Sequence, residues 1–221
     1  MAIPPAFTPL DSALSLLERS IEQGAIIVAI GAFTNLALLE KRSPGILRRA
    51  KLYLMGGYVF PPRDGFPRWG NEMDWNVQVD AQSAYLVFQH SNPVLVTLAI
   101  TAETALRRAY LPALRRSGRL ASLIARQAAR FAKDERMEER FGQTCPGLPG
   151  DIINFLHDPL ACAIALGWDD GVEVSEIPLT LEIKDGWLHQ NIDERGKLFR
   201  VVTRANGGNF SEFWLNTVVR A

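Results

Sequence analysis

The sequence predicts an α/β protein, an open and mostly parallel sheet flanked by helices, with a small antiparallel addition near the C-terminus. Three observations lead there. Short, continuous apolar runs alternate with segments of helical periodicity, the runs are rich in β-branched residues, and glycine or a polar loop follows each run. Residues 10–21 (LDSALSLLERSI) space their apolar positions as an amphipathic helix. Gly24 ends it, and residues 25–30 (AIIVAI) read as a strand buried on both faces. After Gly31, Thr34 or Asn35 is placed to cap a helix that runs through LALLEKR to Ser43-Pro44-Gly45. The unit repeats. A strand at 52–55 is stopped by Gly56-Gly57, a long polar loop follows, and a helix spans 81–89 with Asp80 as its cap. A third strand is expected at 94–100, with helices from 105 to 136 interrupted at Ser117-Gly118. In such sheets the loops at the carboxyl ends of the strands hold the ligand, so those after Ile30, Met55 and Ile100 should share one rim.

The remainder reads as a glycine- and proline-punctuated loop at 142–151, a helix starting near Asp158-Pro159 with Asp158 as N-cap, strands at 176–183 and 198–205 joined through a turn at 189–197, and a closing helix at 209–220. Residues 1–9 are a proline-rich lead-in. A chain of 221 residues with 48% apolar and 22% charged residues fits a single domain covering 1–221. Lys+Arg and Asp+Glu both number 24, which leaves no net field to attract nucleic acid. The seven arginines from Arg107 to Arg130 could form an anion-binding face, but with zero net charge they read first as solvated helix faces. Cys145 and Cys162 are too few for a disulfide framework and lack metal-site spacing. No apolar segment reaches the roughly 18 residues that span a bilayer, and a cytoplasmic protein is expected. Dinucleotide, P-loop and α/β-hydrolase motifs are absent from the sequence.

The candidate ligand mouth is the stretch 52–80, where Asn71, Glu72, Asp74 and Asn76 crowd carboxylate and amide oxygens around Met73 and Trp75. Such a group suits a polyhydroxylated ligand. LMGG followed by a loop and DWNVQVD, together with His157-Asp158-Pro159-Leu160-Ala161 and the segment AIGAFTNLAL, resembles the inosine-uridine nucleoside hydrolase family over roughly residues 25–214. The resemblance implies hydrolysis of the N-glycosidic bond of ribonucleosides with bound calcium. It implies that Met55, Asn71, Asp74 and Asn76 line or hold the ribose, and that Asp158 and the Ile30 backbone carbonyl are calcium ligands. His157 would protonate the departing base, a task for a group that titrates near neutrality. Family members open with a strand and an aspartate cluster of the DxDxGxDD kind, which supplies most calcium ligands and the water-activating carboxylate. This sequence is expected to begin about one third of the way into that fold, to leave an apolar sheet edge, and to function as an oligomer or with a partner chain that carries the aspartates. The alternatives are a non-catalytic binding or assembly subunit, and an unrelated α/β small-molecule binder. His90 and His189 have no partners at useful spacing and are expected at the surface.

Overall fold

The computed structural model describes residues 10–220, so the proline-rich lead-in at 1–9 lies outside the described residues. The chain runs α1 (Leu10–Glu22), β1 (Ile26–Ala29), α2 (Thr34–Arg42), α3 (Ile46–Arg49) and β2 (Lys51–Met55). After the long loop come α4 (Trp75–Gln78), α5 (Ala81–His90), β3 (Val94–Val96) and α6 (Leu98–Thr101). Next are β4 (Leu106–Arg107), α7 (Leu111–Arg116), α8 (Arg119–Asp134), β5 (Ile152–Asn154) and α9 (His157–Ala165). Three long strands, β6 (Glu173–Lys184), β7 (Trp187–Ile192) and β8 (Lys197–Arg204), precede α10 (Gly207–Arg220).

One six-stranded sheet, ordered β1-β2-β3-β8-β6-β7, organises the molecule, and β4 and β5 form a separate antiparallel pair. β1, β2, β3 and β8 are mutually parallel, while β6 runs antiparallel to both β8 and β7. β6 and β7 form the antiparallel addition near the C-terminus, and because β8 inserts beside β3 they continue the parallel strands as one sheet. Alternation along the central strands sends Leu52, Leu54 and Leu95 to one core and Met55, Val94 and Val96 to the other. The first core packs against α1, α2, α3 and α5, and the second against α7, α8, α9 and α10.

Four local expectations are corrected. β1 is not buried on both faces: it is the sheet edge, and Ile26 is 44% exposed, because only β2 pairs with it among the described residues. The apolar run 94–100 divides into a three-residue strand and a helix, since a continuous apolar run satisfies a buried strand and a buried helix equally well. Residues 189–192 belong to β7 rather than to a turn. The hairpin signal lies earlier, at Asp185-Gly186, where both residues have positive φ (52° and 86°) as a two-residue turn requires. Finally, neither Thr34 nor Asn35 caps α2, whose N-cap is Phe33 without a side-chain bond. Instead the Thr34 hydroxyl donates to the Asp80 carboxylate at 2.5 Å, while Asp80 caps α5 by accepting from Ser83 N–H. Asp80 thus ties two helices at once, and Asp80→Ala is expected to cost about 1–2 kcal/mol in urea unfolding.

The arginines of residues 107–130 follow the solvated reading. Arg107, Arg108 and Arg130 pair with Asp151, Glu138 and Asp134 in exposed or half-exposed bridges. His90 has a partner after all, with Nδ1 3.5 Å from a Glu40 carboxylate oxygen.

Candidate functional site

Because β1, β2 and β3 are parallel, their carboxyl ends open on one side, where a cavity of about 880 Å³ is lined by Ile30, Met55 and Leu98. The same cavity is walled by Asn76 from the opening of α4, by Asn154, Phe155, His157 and Asp158 around the start of α9, and by Leu123, Gln127 and Phe131 of α8. Residues more than 120 positions apart in the sequence thereby meet in one site. Of the sequence-predicted residues, Ile30, Met55, Asp74, Asn76, His157 and Asp158 all reach this wall. Asn71 does not: its amide nitrogen donates to the Leu188 carbonyl of β7 and its oxygen accepts from Gln78. The short 3₁₀ turn at Asn71–Met73 aims it at the far hairpin, where it anchors the loop.

Asp74 lies at the wall, but its carboxylate is turned inward. One oxygen accepts from Gly57 N–H and the other from Val77 N–H, capping α4, and the residue is 1% exposed. Burial, only partly offset by the two N–H groups, raises its pKa to about 6. The sign follows from linkage. A folded-state pKa above the unfolded value means that the folded protein holds the proton more tightly, so this group's contribution to stability is full below pH 4 and is lost as pH rises through 6. Asp74→Asn removes that titration, so its stability deficit relative to the native chain is expected to shrink between pH 4 and pH 7.5 in urea melts.

Asn76 donates its amide N–H to the Met55 carbonyl (3.0 Å) and to Met55 Sδ (3.1 Å), leaving its side-chain oxygen without a bond among the described residues. That oxygen is an acceptor for a ligand hydroxyl. Met55 is 4% exposed and serves as both core and cavity floor.

His157 and Asp158 open α9, but Leu156 is the N-cap and Asp158 makes no capping bond, contrary to the expected cap. The Asp158 carboxylate is half-buried at the cavity wall, and desolvation raises its pKa. The His157 ring stacks on Phe155 (centroids 5.2 Å apart) and tilts against Trp69 (5.9 Å), and Nδ1 lies 2.7 Å from the buried Thr101 hydroxyl. Burial depresses its pKa to about 4, so the ring is a neutral imidazole at pH 7 and not a group titrating near neutrality. Trp69 is held by a loop that Arg63 clamps to Glu103 through two hydrogen bonds, one of them 2.7 Å long. Sequence reading missed Trp69, Phe155 and Thr101. The Trp in RWGN and the aromatic two residues before His157 were the available signals, whereas nothing local marks Thr101.

Calcium takes six to eight oxygens. Asp158 supplies a carboxylate and the Ile30 carbonyl would be a second donor, but Asp74 is already occupied by backbone N–H groups. No group of three His, Cys, Asp or Glu among the described residues could hold a metal. The described residues do not fit a calcium ion by themselves.

Comparison with known proteins gives the family and the fold. Residues 4–212 match the inosine-uridine preferring nucleoside hydrolase family. The pyrimidine-specific ribonucleoside hydrolase RihA of Salmonella arizonae is 31% identical over 167 residues, which cover 73% of this chain and 49% of that protein. RihA of Citrobacter koseri is 30% identical over the same extent. The chain spans about half the length of the curated relatives it matches. A purine-preferring ribonucleoside hydrolase from Gardnerella vaginalis has the same fold, with a TM-score of 0.76 at 19% identity, covering 100% of this chain and 70% of that one. A plant nucleoside hydrolase, PpNRh1, also scores 0.76, at 17% identity, over 98% of this chain and 70% of its own. With its family match running through almost every described element of the sheet and both halves of the cavity, the chain belongs to the inosine-uridine preferring nucleoside hydrolase family.

Proposed function

We propose that this cavity binds a ribonucleoside and that the protein takes part in hydrolysing its N-glycosidic bond to ribose and free base. The observation that carries the reading is the meeting of Asn76, Met55, His157 and Asp158, from two distant sequence motifs, at one cavity on the carboxyl edge of the sheet. The Asn76 oxygen accepts from a ribose hydroxyl, Met55 floors the sugar, and the base lies toward His157, Trp69 and Phe155. Water adds its hydroxide to the anomeric carbon as the C–N bond breaks, and the base departs with a proton. His157 takes that proton from solvent at its cavity-facing nitrogen and passes it to the base nitrogen, returning to neutral imidazole.

The attacking water's proton goes to a carboxylate outside the described residues. By resemblance the family site also carries calcium, whose remaining oxygens would come from the same source. A partner segment or chain is supported by β1, an edge strand whose Ile26 is 44% exposed. A homo-oligomer, and a cytoplasmic location in keeping with the free Cys145 and Cys162, belong to the same reading. Among the described residues no helix is long and apolar enough to cross a membrane. A second reading, a binding or assembly subunit that keeps the fold, draws on the inward-turned Asp74 and Asn71, which leave the ribose fewer polar contacts than the resemblance implies.

The test is ribose release from inosine and uridine by the 221-residue chain, with and without added calcium, beside His157→Ala. Release that the substitution abolishes supports catalysis by this cavity, and release that it leaves unchanged overturns the assignment. Saturable binding of either nucleoside without release supports the subunit reading.

A further inference from the structure

We propose that Thr101 is a positioning residue that holds His157 in the tautomer protonated on Nδ1, so that Nε2 alone exchanges protons with the cavity. Thr101 is 0% exposed at the end of α6, and its Oγ1 has two neighbours: His157 Nδ1 at 2.7 Å and the Leu98 carbonyl at 3.1 Å. A hydroxyl has one proton to give. The carbonyl can only accept, so when the hydroxyl donates to Leu98, as threonines in helices commonly do to the preceding turn, the shorter contact is filled by Nδ1–H donating to Oγ1. Both protons are then bonded. The opposite tautomer would turn the hydroxyl proton to Nδ1 and give up the bond to Leu98, making one hydrogen bond where two are available.

The surroundings fix the ring as firmly as its proton. Thr104 Oγ1 donates to the Thr101 carbonyl at 2.8 Å and accepts from Leu156 N–H at 2.9 Å, so the turn that carries Thr101 also grips the residue immediately before His157. Phe155 stacks on the imidazole with an interplanar angle of 25°. With Nδ1–H already accepted by oxygen, adding or removing a proton at Nε2 requires no turning of the hydroxyl. That is the pre-organisation a proton-handling histidine needs from its orienting partner. Any ligand group that meets the resting ring therefore meets an acceptor, and a ligand N–H or O–H is what it recognises.

The inference rests on the nucleoside reading only for its catalytic consequence, and its primary readout needs no turnover. The chain has three histidines, so ¹⁵N-histidine labelling and long-range ¹H–¹⁵N spectra at pH 8 resolve each ring, with His157→Ala assigning the signal. Expected is an Nδ1–H tautomer for His157 in the native chain and in Thr101→Ser, and a shift toward Nε2–H in Thr101→Val. An Nε2–H ring in the native protein overturns the proposal, as does a Thr101→Val protein that keeps Nδ1–H. In a preparation active on nucleosides, Thr101→Val should lower kcat by about 10- to 100-fold with KM nearly unchanged, and Thr101→Ser should restore most of it. A loss of activity in Thr101→Val with the native tautomer retained would make Thr101 merely structural and also overturn the proposal.

Discussion

In any preparation that releases ribose from inosine or uridine, His157→Ala is expected to lower kcat by about 10²- to 10⁴-fold, the range a positioned acid contributes. The fall should be greatest for nucleosides whose base leaves badly without a proton. A riboside whose leaving group departs as a stabilised anion should lose far less, because its departure does not call on Nε2. Steady-state kinetics on the two kinds of substrate make this comparison. An equal loss on both would mean that His157 holds the sugar or shapes the pocket, and would remove it from proton transfer. The expectation rests on position: His157 lines the cavity beside Asp158 while its other face is closed by Phe155, Trp69 and Thr101. Its depressed pKa means that a resting charge on the ring makes no contribution at neutral pH.

Gly57→Ala should destabilise the scaffold at the floor of the cavity, by about 2–4 kcal/mol. Gly57 has φ +108°, where a side chain is strained, and an added Cβ would lie 2.9 Å from Oε1 of Gln190, a residue 6% exposed. The backbone is held in that conformation, because Gly57 N–H is bound by Asp74 and its carbonyl accepts from Leu98 N–H at 3.3 Å. Those two bonds join the end of β2 to the cap of α4 and the first residue of α6, so the strain falls on the floor of the cavity. Urea midpoints measure the effect. Gly31→Ala, where an added Cβ meets nothing within 4 Å and φ is not in the left-handed region, should be neutral or stabilising by up to about 1 kcal/mol. A Gly57→Ala protein as stable as the Gly31→Ala protein would show that the glycine strap yields freely and would remove the rigidity ascribed to it.

Much of this protein was determined locally. The helices of residues 10–22, 81–90 and 207–220, the strands at 26–29 and 51–55 and the Asp80 cap follow from periodicity and capping chemistry, which depend on neighbours a few positions away. The two motifs that form the cavity were legible for the same reason, since MGG with DWN and HDPLA are each contiguous. Tertiary structure decided the rest. Whether 94–100 is one strand or a strand and a helix, and whether β8 joins the parallel sheet, depends on which surface covers an apolar run, and hydrophobicity alone does not encode that. Asp74 and Asn71 have the residue types of sugar ligands, but the positive-φ glycines and the β7 hairpin offer N–H and C=O partners at closer range, and these claim the side chains first. Thr101 is silent in sequence because its meaning lies in a 2.7 Å contact with a residue 56 positions away. A buried polar group must find its hydrogen bond wherever the fold supplies one, so polar residues announce what they can do, and packing selects which of those things they do.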